Sequence, residues 1–467
     1  MKRKKKADLK FFIGLIIAKV LSIFIRILFK NRGTHMPGAI AIKICPDFLS
    51  KIGRPDKIIA VTGTNGKTST SNLINEVLNK NGITTINNSK GSNMPAGIAS
   101  SLIEKCNLKG YVKEEVAVFE VDERASYFIY THMPPTYLIC TNLFRDSIKR
   151  NGHAEFILTK IKSAVPNSTT LILNADDLIS SNIGDKNKKI YFSLDKLDID
   201  PKENNSLVSD INICPECKNK LIFNYRHYNH IGNVKCSNCD FKSPISNFIG
   251  CDVDFNSKTF YIKEKNKKVK YDMISDTVFN LYNTIGVIAV LRTFGLGHNQ
   301  IRLGLKGASI KSSRYDISKI GKLEVITMLS KNQNPISSSR ALDYVSNIPG
   351  NKVIVLLLTD TKDKVHGSED ISWLYDTDFE YLNKNNIKQV IACGNRCYDL
   401  SLRLKLAGID ENIIDTVLDY NDIEDKIKRK GIDKIFVLYE IYGNDIEYKL
   451  KKSIVGVKKW KYYKNNI

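Results

Sequence analysis

Acid is what this sequence has too little of. Its 467 residues carry 49 Asp and Glu against 71 Lys and Arg, a formal net charge of +22. The shortfall favours anionic partners, whether nucleic acid, phosphorylated metabolites or anionic lipid, and charge alone does not choose among them. Much of the basic excess lies near the ends, in MKRKKK at 1–6 and KLKKSIVGVKKWKYYKN at 449–465. That pattern is less like a groove across a folded face than like sticky termini. An uninterrupted bilayer-length run is also missing. LKFFIGLIIAKVLSIFIRILFK at 9–30 has the length, but Lys19 and Arg26 break it, and a charge near a bilayer centre costs a few kcal/mol. Lys19, Ser22, Arg26 and Lys30 fall on one helical stripe. An amphipathic helix is therefore expected, lying on a membrane or docked on its own protein. No cleavable signal peptide is visible, and six of the ten cysteines (Cys45, Cys106, Cys140, Cys251, Cys393, Cys397) stand singly. The expected compartment is reducing and cytosolic. Prolines number only 12 and 42% of residues are hydrophobic, as in a globular chain, and the length calls for two or three domains.

What is present begins with KIIAVTGTNGKTSTSNLINEVLNKNG at 57–82, a buried strand, a glycine-rich turn and a helix. Gly63 and Gly66 let the backbone wrap an anion, with Thr64 and Asn65 between them. Lys67 supplies a cation, Thr68 is placed to hold Mg²⁺, and Ser69 follows at the helix start, whose dipole adds positive charge. The strict Walker glycine is absent, since Val61 stands there. Strand, turn, Lys-Thr and helix arriving in order point to ATP binding rather than a chance turn. Further on, VAVFEVDE at 116–123 is a buried strand ending in acids, either functional or merely solvated.

Residues 213–241 hold two Cys-x-x-Cys pairs, Cys214/Cys217 and Cys236/Cys239, separated by residues 218–235. This is zinc-ribbon spacing, and four thiolates make a closed tetrahedral site, structural rather than catalytic. With the basic charge, a nucleic-acid knuckle is the rival reading. Few basic residues lie between the pairs and no base-reading helix is evident, so no nucleic acid is expected. Beyond about 316, KVIVLLLTD at 352–360 and QVIACGN at 389–395 alternate with helical stretches, a Rossmann-like α/β pattern. Between them HGSEDISWLYDTDFEYL at 366–382 is dense in acids, at the carboxyl end of a sheet or simply solvated.

GTNGKTS resembles the phosphate loop of the Mur ligase family, and further segments follow in that family's order: FEVDE, NLFRD, NADD at 174–177, FNLYN at 279–283 and SSRYD at 312–316. The resemblance implies Glu120 as a Mg²⁺ ligand beside Thr68. It places Asn280 and Asn283 near adenine and keeps Arg314, with Ser313 in place of a glycine. Ser147 stands where many members have a metal-binding histidine. The nucleotide-sugar domain that usually precedes the phosphate loop is missing, and a four-cysteine insert is added. Both features are similar to the MurT branch, whose pattern runs over nearly the whole chain, including NNSKGSNMPAGIAS at 87–100 and RCYDLSLRLKLAGI at 396–409.

That resemblance implies an α/β fold: an N-terminal helix and lead-in at 1–56, a central ATP-binding domain at 57–315 with a zinc ribbon at about 205–250, and a Rossmann-like domain at 316–467. It implies ATP-dependent amidation of the α-carboxyl of D-glutamate in lipid II, through an acyl phosphate. Asp370 would be the catalytic residue, with Asp376 the runner-up. ATP, Mg²⁺ and structural Zn²⁺ are the implied cofactors. A cysteine glutaminase needs a Gly-x-Cys-x-Gly elbow, and none occurs. Ammonia is therefore expected from a separate GatD-type subunit, with the enzyme cytoplasmic and at most peripheral at the inner membrane face. Departures at KNQNPISSS (331–339) and DSIKRNGH (146–153) leave a second reading open, an amino-acid ligase of Mur or folate type without a glutaminase. A nucleic-acid-binding ATPase is the third.

Overall fold

Six short runs of branched aliphatic residues end in turns or acids between residues 57 and 194, and each becomes a parallel strand. The computed structural model describes residues 5–29, 35–89, 92–145, 153–201, 206–308, 315–330, 334–357, 371–439 and 444–455. They form two units: 1–143 with 154–205 and 209–310, and 144–153 with 206–208 and 311–467. In the first unit the strands are β1 (Lys57–Thr62), β2 (Thr85–Asn87), β3 (Val116–Glu120), β4 (Tyr137–Cys140), β5 (Thr170–Asn174) and β6 (Lys189–Leu194). A hairpin follows, β7 (Leu221–Tyr228) and β8 (Ile231–Cys236), then β9 (Phe248–Asp254), β10 (Thr259–Glu264) and β11 (Lys267–Asp272). The main sheet runs β11-β10-β9-β6-β5-β4-β1-β3-β2. From β2 to β9 all neighbours are parallel, and β10 and β11 close one edge antiparallel. Strands covered on both faces read as continuous apolar runs, as Ile58–Val61 does. β1 lies between β3 and β4, so the chain order reverses there. Ligands of open α/β sheets bind at such a switch point, beyond the carboxyl ends of the strands.

The Val278–Phe294 helix lies under this sheet, with every residue from Leu281 to Leu291 buried. The Leu9–Phe29 helix behaves differently. Phe11, Leu15 and Ala18 enter the core, Ile25 is buried, and Phe11 stacks on Phe48. Lys19, on the polar stripe, turns inward as well. Lys19 Nζ donates to the carbonyls of Ile103 (2.9 Å) and Cys106 (2.6 Å) at the C-terminal end of the Pro95–Lys105 helix, where a cation is favoured. Arg26 pairs with Glu104 at 3.1 Å. A helix docked in the ordinary amphipathic way would show the reverse, with its polar stripe toward solvent.

The second unit has a six-stranded sheet, β12 (Tyr315–Ile320), β13 (Leu323–Leu329), β14 (Lys352–Leu357), β15 (Ile387–Cys393), β16 (Ile414–Val417) and β17 (Lys434–Tyr439), in the order β12-β13-β17-β14-β15-β16. Only the β12–β13 pair is antiparallel. The strands expected at 352–360 and 389–395 are β14 and β15. β14 is buried along its length, with one hydrophobic cluster on each face.

Candidate functional site

The glycine-rich turn 63–66 leaves β1 and starts the Lys67–Lys80 helix. Gly63 (φ 126°) and Gly66 (φ 87°) both take left-handed backbone. A Cβ on Gly63 would come within 2.3 Å of Thr141 Oγ1, and one on Gly66 within 2.3 Å of Asn283 Oδ1. Only glycine fits either position. The end of β4 fixes the turn from one side. Thr64 N donates to the Asn142 carbonyl (2.8 Å), Asn65 N to Asn142 Oδ1 (3.1 Å), and Thr141 Oγ1 to the Asn65 carbonyl (2.6 Å).

The end of β3 supplies acids from the other side. Lys67 Nζ contacts Glu123 Oε1 at 2.7 Å and the Gly63 carbonyl at 2.5 Å. Burial opposes the ammonium, but the Glu123 carboxylate outweighs it, helped by Glu120 and Asp122, and Lys67 stays protonated above its ordinary range. Glu120 is half-buried at the strand end. Asn88 brackets its backbone, and Asn93 Nδ2 reaches its carboxylate at 3.3 Å. Thr68 is exposed and Ser69 half-buried at the helix start. Asn280 and Asn283 open the long buried helix and face each other at 3.4 Å. The structure thus gathers Gly63, Thr64, Asn65, Gly66, Lys67, Thr68, Ser69, Glu120 and Asn283 at the ends of adjacent strands. Arg314 and Asp370 lie outside the described residues, as does the start of the KNQNPISSS segment, 331–333. Asp376, in the second unit, ends the short Trp373–Asp376 helix and pairs with Arg145 at 3.3 Å.

Sequence reasoning selected Glu120 and missed Glu123, which makes the closest acidic contact to Lys67. The signal was the acid pair 122–123, two and three residues beyond the residue selected. It also missed Asn88 and Asn93, although the NNSKGSN loop was singled out.

The left-handed glycines, the helix N-terminus and Lys67 fit a nucleoside triphosphate, and one further observation fits its divalent cation or another electron-pair acceptor. Asn65 Oδ1 is buried with no hydrogen-bond partner, beside a positive turn and an exposed Thr68 hydroxyl. Such an orphaned atom in a native turn marks unfinished bonding. The four cysteines also fit a metal. Their Sγ atoms lie within 4.8 Å of one another, with Cys217–Cys236 at 3.3 Å and Cys214–Cys239 at 3.7 Å. Thiolates about 2.3 Å from a tetrahedral zinc would stand roughly 3.8 Å apart.

The far end of that insert answers what it packs on. At the hairpin tip His227 meets Asp200 (2.6 Å) and the Leu194 carbonyl (3.2 Å), and His230 Nε2 meets Asp177 Oδ1 (3.2 Å). Gly232 N donates to the Asp176 carbonyl (2.9 Å), and Tyr282 Oη donates to Asp176 Oδ2 at 2.7 Å. Asp177 in turn accepts from Leu143 N at 2.7 Å. The insert is therefore fastened onto the NADD segment and, through Tyr282, onto the helix bearing Asn280 and Asn283.

Two family models match: the Mur ligase middle domain over residues 61–291 and the MurT ligase C-terminal domain over 329–442. The lipid II isoglutaminyl synthase (glutamine-hydrolyzing) subunit MurT of Staphylococcus aureus strain COL is 34% identical over 386 residues, covering 82% of this chain and 85% of that one. The subunit of the same name from Streptococcus pneumoniae strain R6 is 27% identical, covering 81% and 83%. Among solved structures, a pseudomurein peptide ligase type C from Methanothermus fervidus superposes with a TM-score of 0.63 at 18% identity, covering 88% of this chain and 81% of that one. MurF from Acinetobacter baumannii reaches 0.62 at 13% identity, covering 90% and 80%. These two likenesses speak for the fold.

Proposed function

The chain belongs to the Mur ligase family, in its MurT branch, and from that premise we propose that it is the synthetase subunit of a glutamine-hydrolysing lipid II isoglutaminyl synthase. It amidates the α-carboxyl of D-glutamate in the lipid II stem peptide, giving D-isoglutamine. The observation that carries this reading is the match to subunits of that name along four fifths of the chain, and the cation-and-carboxylate turn supports it.

A free carboxylate resists attack by ammonia because oxide would have to leave. Transfer of the γ-phosphoryl group of ATP to the carboxylate oxygen releases ADP and leaves an acyl phosphate. Ammonia then adds to the carbonyl carbon, and phosphate departs with the C–O bond electrons. In this chain the backbone of 63–66 and the Lys67 ammonium cradle the phosphates and neutralise the transferred charge. Incoming phosphate offers Lys67 a partner in place of the Gly63 carbonyl. Asn280, Asn283 and Arg314 hold the nucleotide. Thr68 and Glu120 would hold Mg²⁺, which would supply further charge neutralisation between the phosphates. Asp370 orients or deprotonates the ammonia; Asp376 already has Arg145 as a partner. Zinc on Cys214, Cys217, Cys236 and Cys239 closes the insert and takes no part in the chemistry.

Ammonia comes from a separate glutaminase subunit of GatD type, since the sequence has no cysteine elbow of its own. The enzyme works from the cytoplasm on a lipid-borne substrate at the inner membrane face. The test combines the purified chain, such a glutaminase, lipid II, glutamine and ATP, with product followed by mass. Amidated lipid II formed only with both subunits is expected, and D370N abolishes it. Incorporation of a free amino acid without the glutaminase would turn the assignment to the amino-acid ligase reading.

A further inference from the structure

The Leu9–Phe29 helix turns Lys19 and Arg26 of its polar stripe toward its own protein and its other side outward. Leu9, Ile13, Ile16, Ile17, Val20, Ile23, Phe24 and Ile27 are each between 43% and 75% exposed. Their spacing of three and four residues puts all eight on one face, and no polar residue interrupts it. The stripe is roughly 27 Å long at 1.5 Å per residue. Soluble proteins rarely leave a contiguous apolar strip of that size uncovered. We propose that this face seats the protein on an anionic lipid bilayer, with the helix lying along the boundary between headgroups and acyl chains.

Three observations choose the bilayer over a protein partner. Seven of the eight residues are aliphatic, with one Phe, whereas protein interfaces are enriched in Tyr, Trp, Phe, Met and Arg. Exposed Lys6 and Lys10 sit at its N-terminal end, in a sequence that runs Lys2, Arg3, Lys4, Lys5, Lys6, which complements anionic headgroups. No described helix is long and apolar enough to cross a membrane, so the helix would lie in the interface. The Lys19 bonds to helix 95–105 and the burial of Phe11, Leu15 and Ala18 fix its rotation, so the apolar face stays outward without a lipid to hold it. A lipid-borne substrate adds a reason for such a surface, and the helix geometry stands without it.

The test sediments the full chain with vesicles of phosphatidylcholine, with and without phosphatidylglycerol, in the absence of lipid II and ATP. Because the vesicles hold no substrate, the result bears on the face whatever the reaction is. The expected result is co-sedimentation with the phosphatidylglycerol vesicles, weakened by salt, and at least tenfold weaker partition for the triple variant I13E/V20E/F24E. A second variant, I13S/V20S/F24S, carries no new charge and is expected to lose binding at an unchanged melting temperature; it decides the matter if the glutamate variant fails to fold. Absence of wild-type binding, or equal binding by the serine variant, overturns the assignment. So does a dimer that the serine variant dissolves, or loss of vesicle binding when the glutaminase subunit occupies the chain.

Discussion

At the 63–67 turn and at the 227–232 hairpin tip the first unit buries ionisable groups to similar depth, and the two places differ in what is left over. At the tip both imidazoles meet carboxylates, and Asp177 takes a backbone N–H as well as His230. At the turn Lys67 leans on Glu123 and a backbone carbonyl, Asn65 Oδ1 has no partner, and Thr68 faces solvent. Each place leaves one buried oxygen without a partner, Asp176 Oδ1 beneath the tip and Asn65 Oδ1 in the turn, but only the turn sets an ammonium and an exposed hydroxyl beside it. Neither burial nor an orphaned oxygen therefore marks the site by itself; the cation and the exposed hydroxyl beside it do.

Removing the metal breaks the contrast from the insert's side, with the largest expected effect. A tightly held zinc at a thousandfold its dissociation constant is worth about 4 kcal/mol. Chelation, or C214S, is expected to lower the melting temperature and release zinc measurable by metal analysis, while turnover at low temperature falls far less. K67A tests the other side. Loss of a preorganised charge on the transferred phosphoryl group is expected to cost about 10²–10³-fold in turnover, read as ADP release coupled to amidation, with the fold retained by circular dichroism.

The pH dependence sharpens the same distinction. Burial pushes Asp176 up to about 6, against the opposing bonds from Leu194 N and Tyr282. Its folded pKa lies above the unfolded value, so the folded state holds a proton that the unfolded chain releases. The stabilisation is complete below about pH 4 and is lost as pH rises through about 6, a change on the order of 2–3 kcal/mol. Thermal unfolding followed from pH 4 to 7 is expected to show this fall, and D176N to flatten it. The smallest effect is that of Y282F. It removes one hydroxyl bond to Asp176 and is expected to cost about 1–2 kcal/mol by denaturant unfolding, with turnover per folded molecule within a few-fold of wild type.

The turn and the cysteines were legible in the sequence because each is written in local spacing: glycines that a left-handed backbone demands, thiolates that one ion can gather. Four of the parallel strands, β1, β3, β14 and β15, were legible for the same reason, as short apolar runs between breakers. What stayed hidden depends on partners distant in sequence. Glu120 and Glu123 look equivalent until the chain folds and Lys67 lies nearer the second. His227 and His230 carry no local signal, because Asp200 and Asp177 are brought to them only by the fold. Helix 9–29 displayed its two stripes plainly, but which of them faces the protein was decided by the carbonyls at Ile103 and Cys106, some eighty residues away.

The position of the insert between adjacent parallel strands has a kinetic consequence. Phe192 of β6 and Phe248 of β9 are paired in register, so residues 193–247 form one loop that must close before the sheet can propagate to its antiparallel edge. A metal gripping Cys214 and Cys239 would short-circuit less than half of that loop. Closure entropy changes by only about 0.6 kcal/mol for each doubling of length, so pre-binding the metal would speed the search for this pairing by less than about threefold. The ion's contribution to assembly would come after the strands meet, in keeping the hairpin rigid enough for its tip to remain lodged.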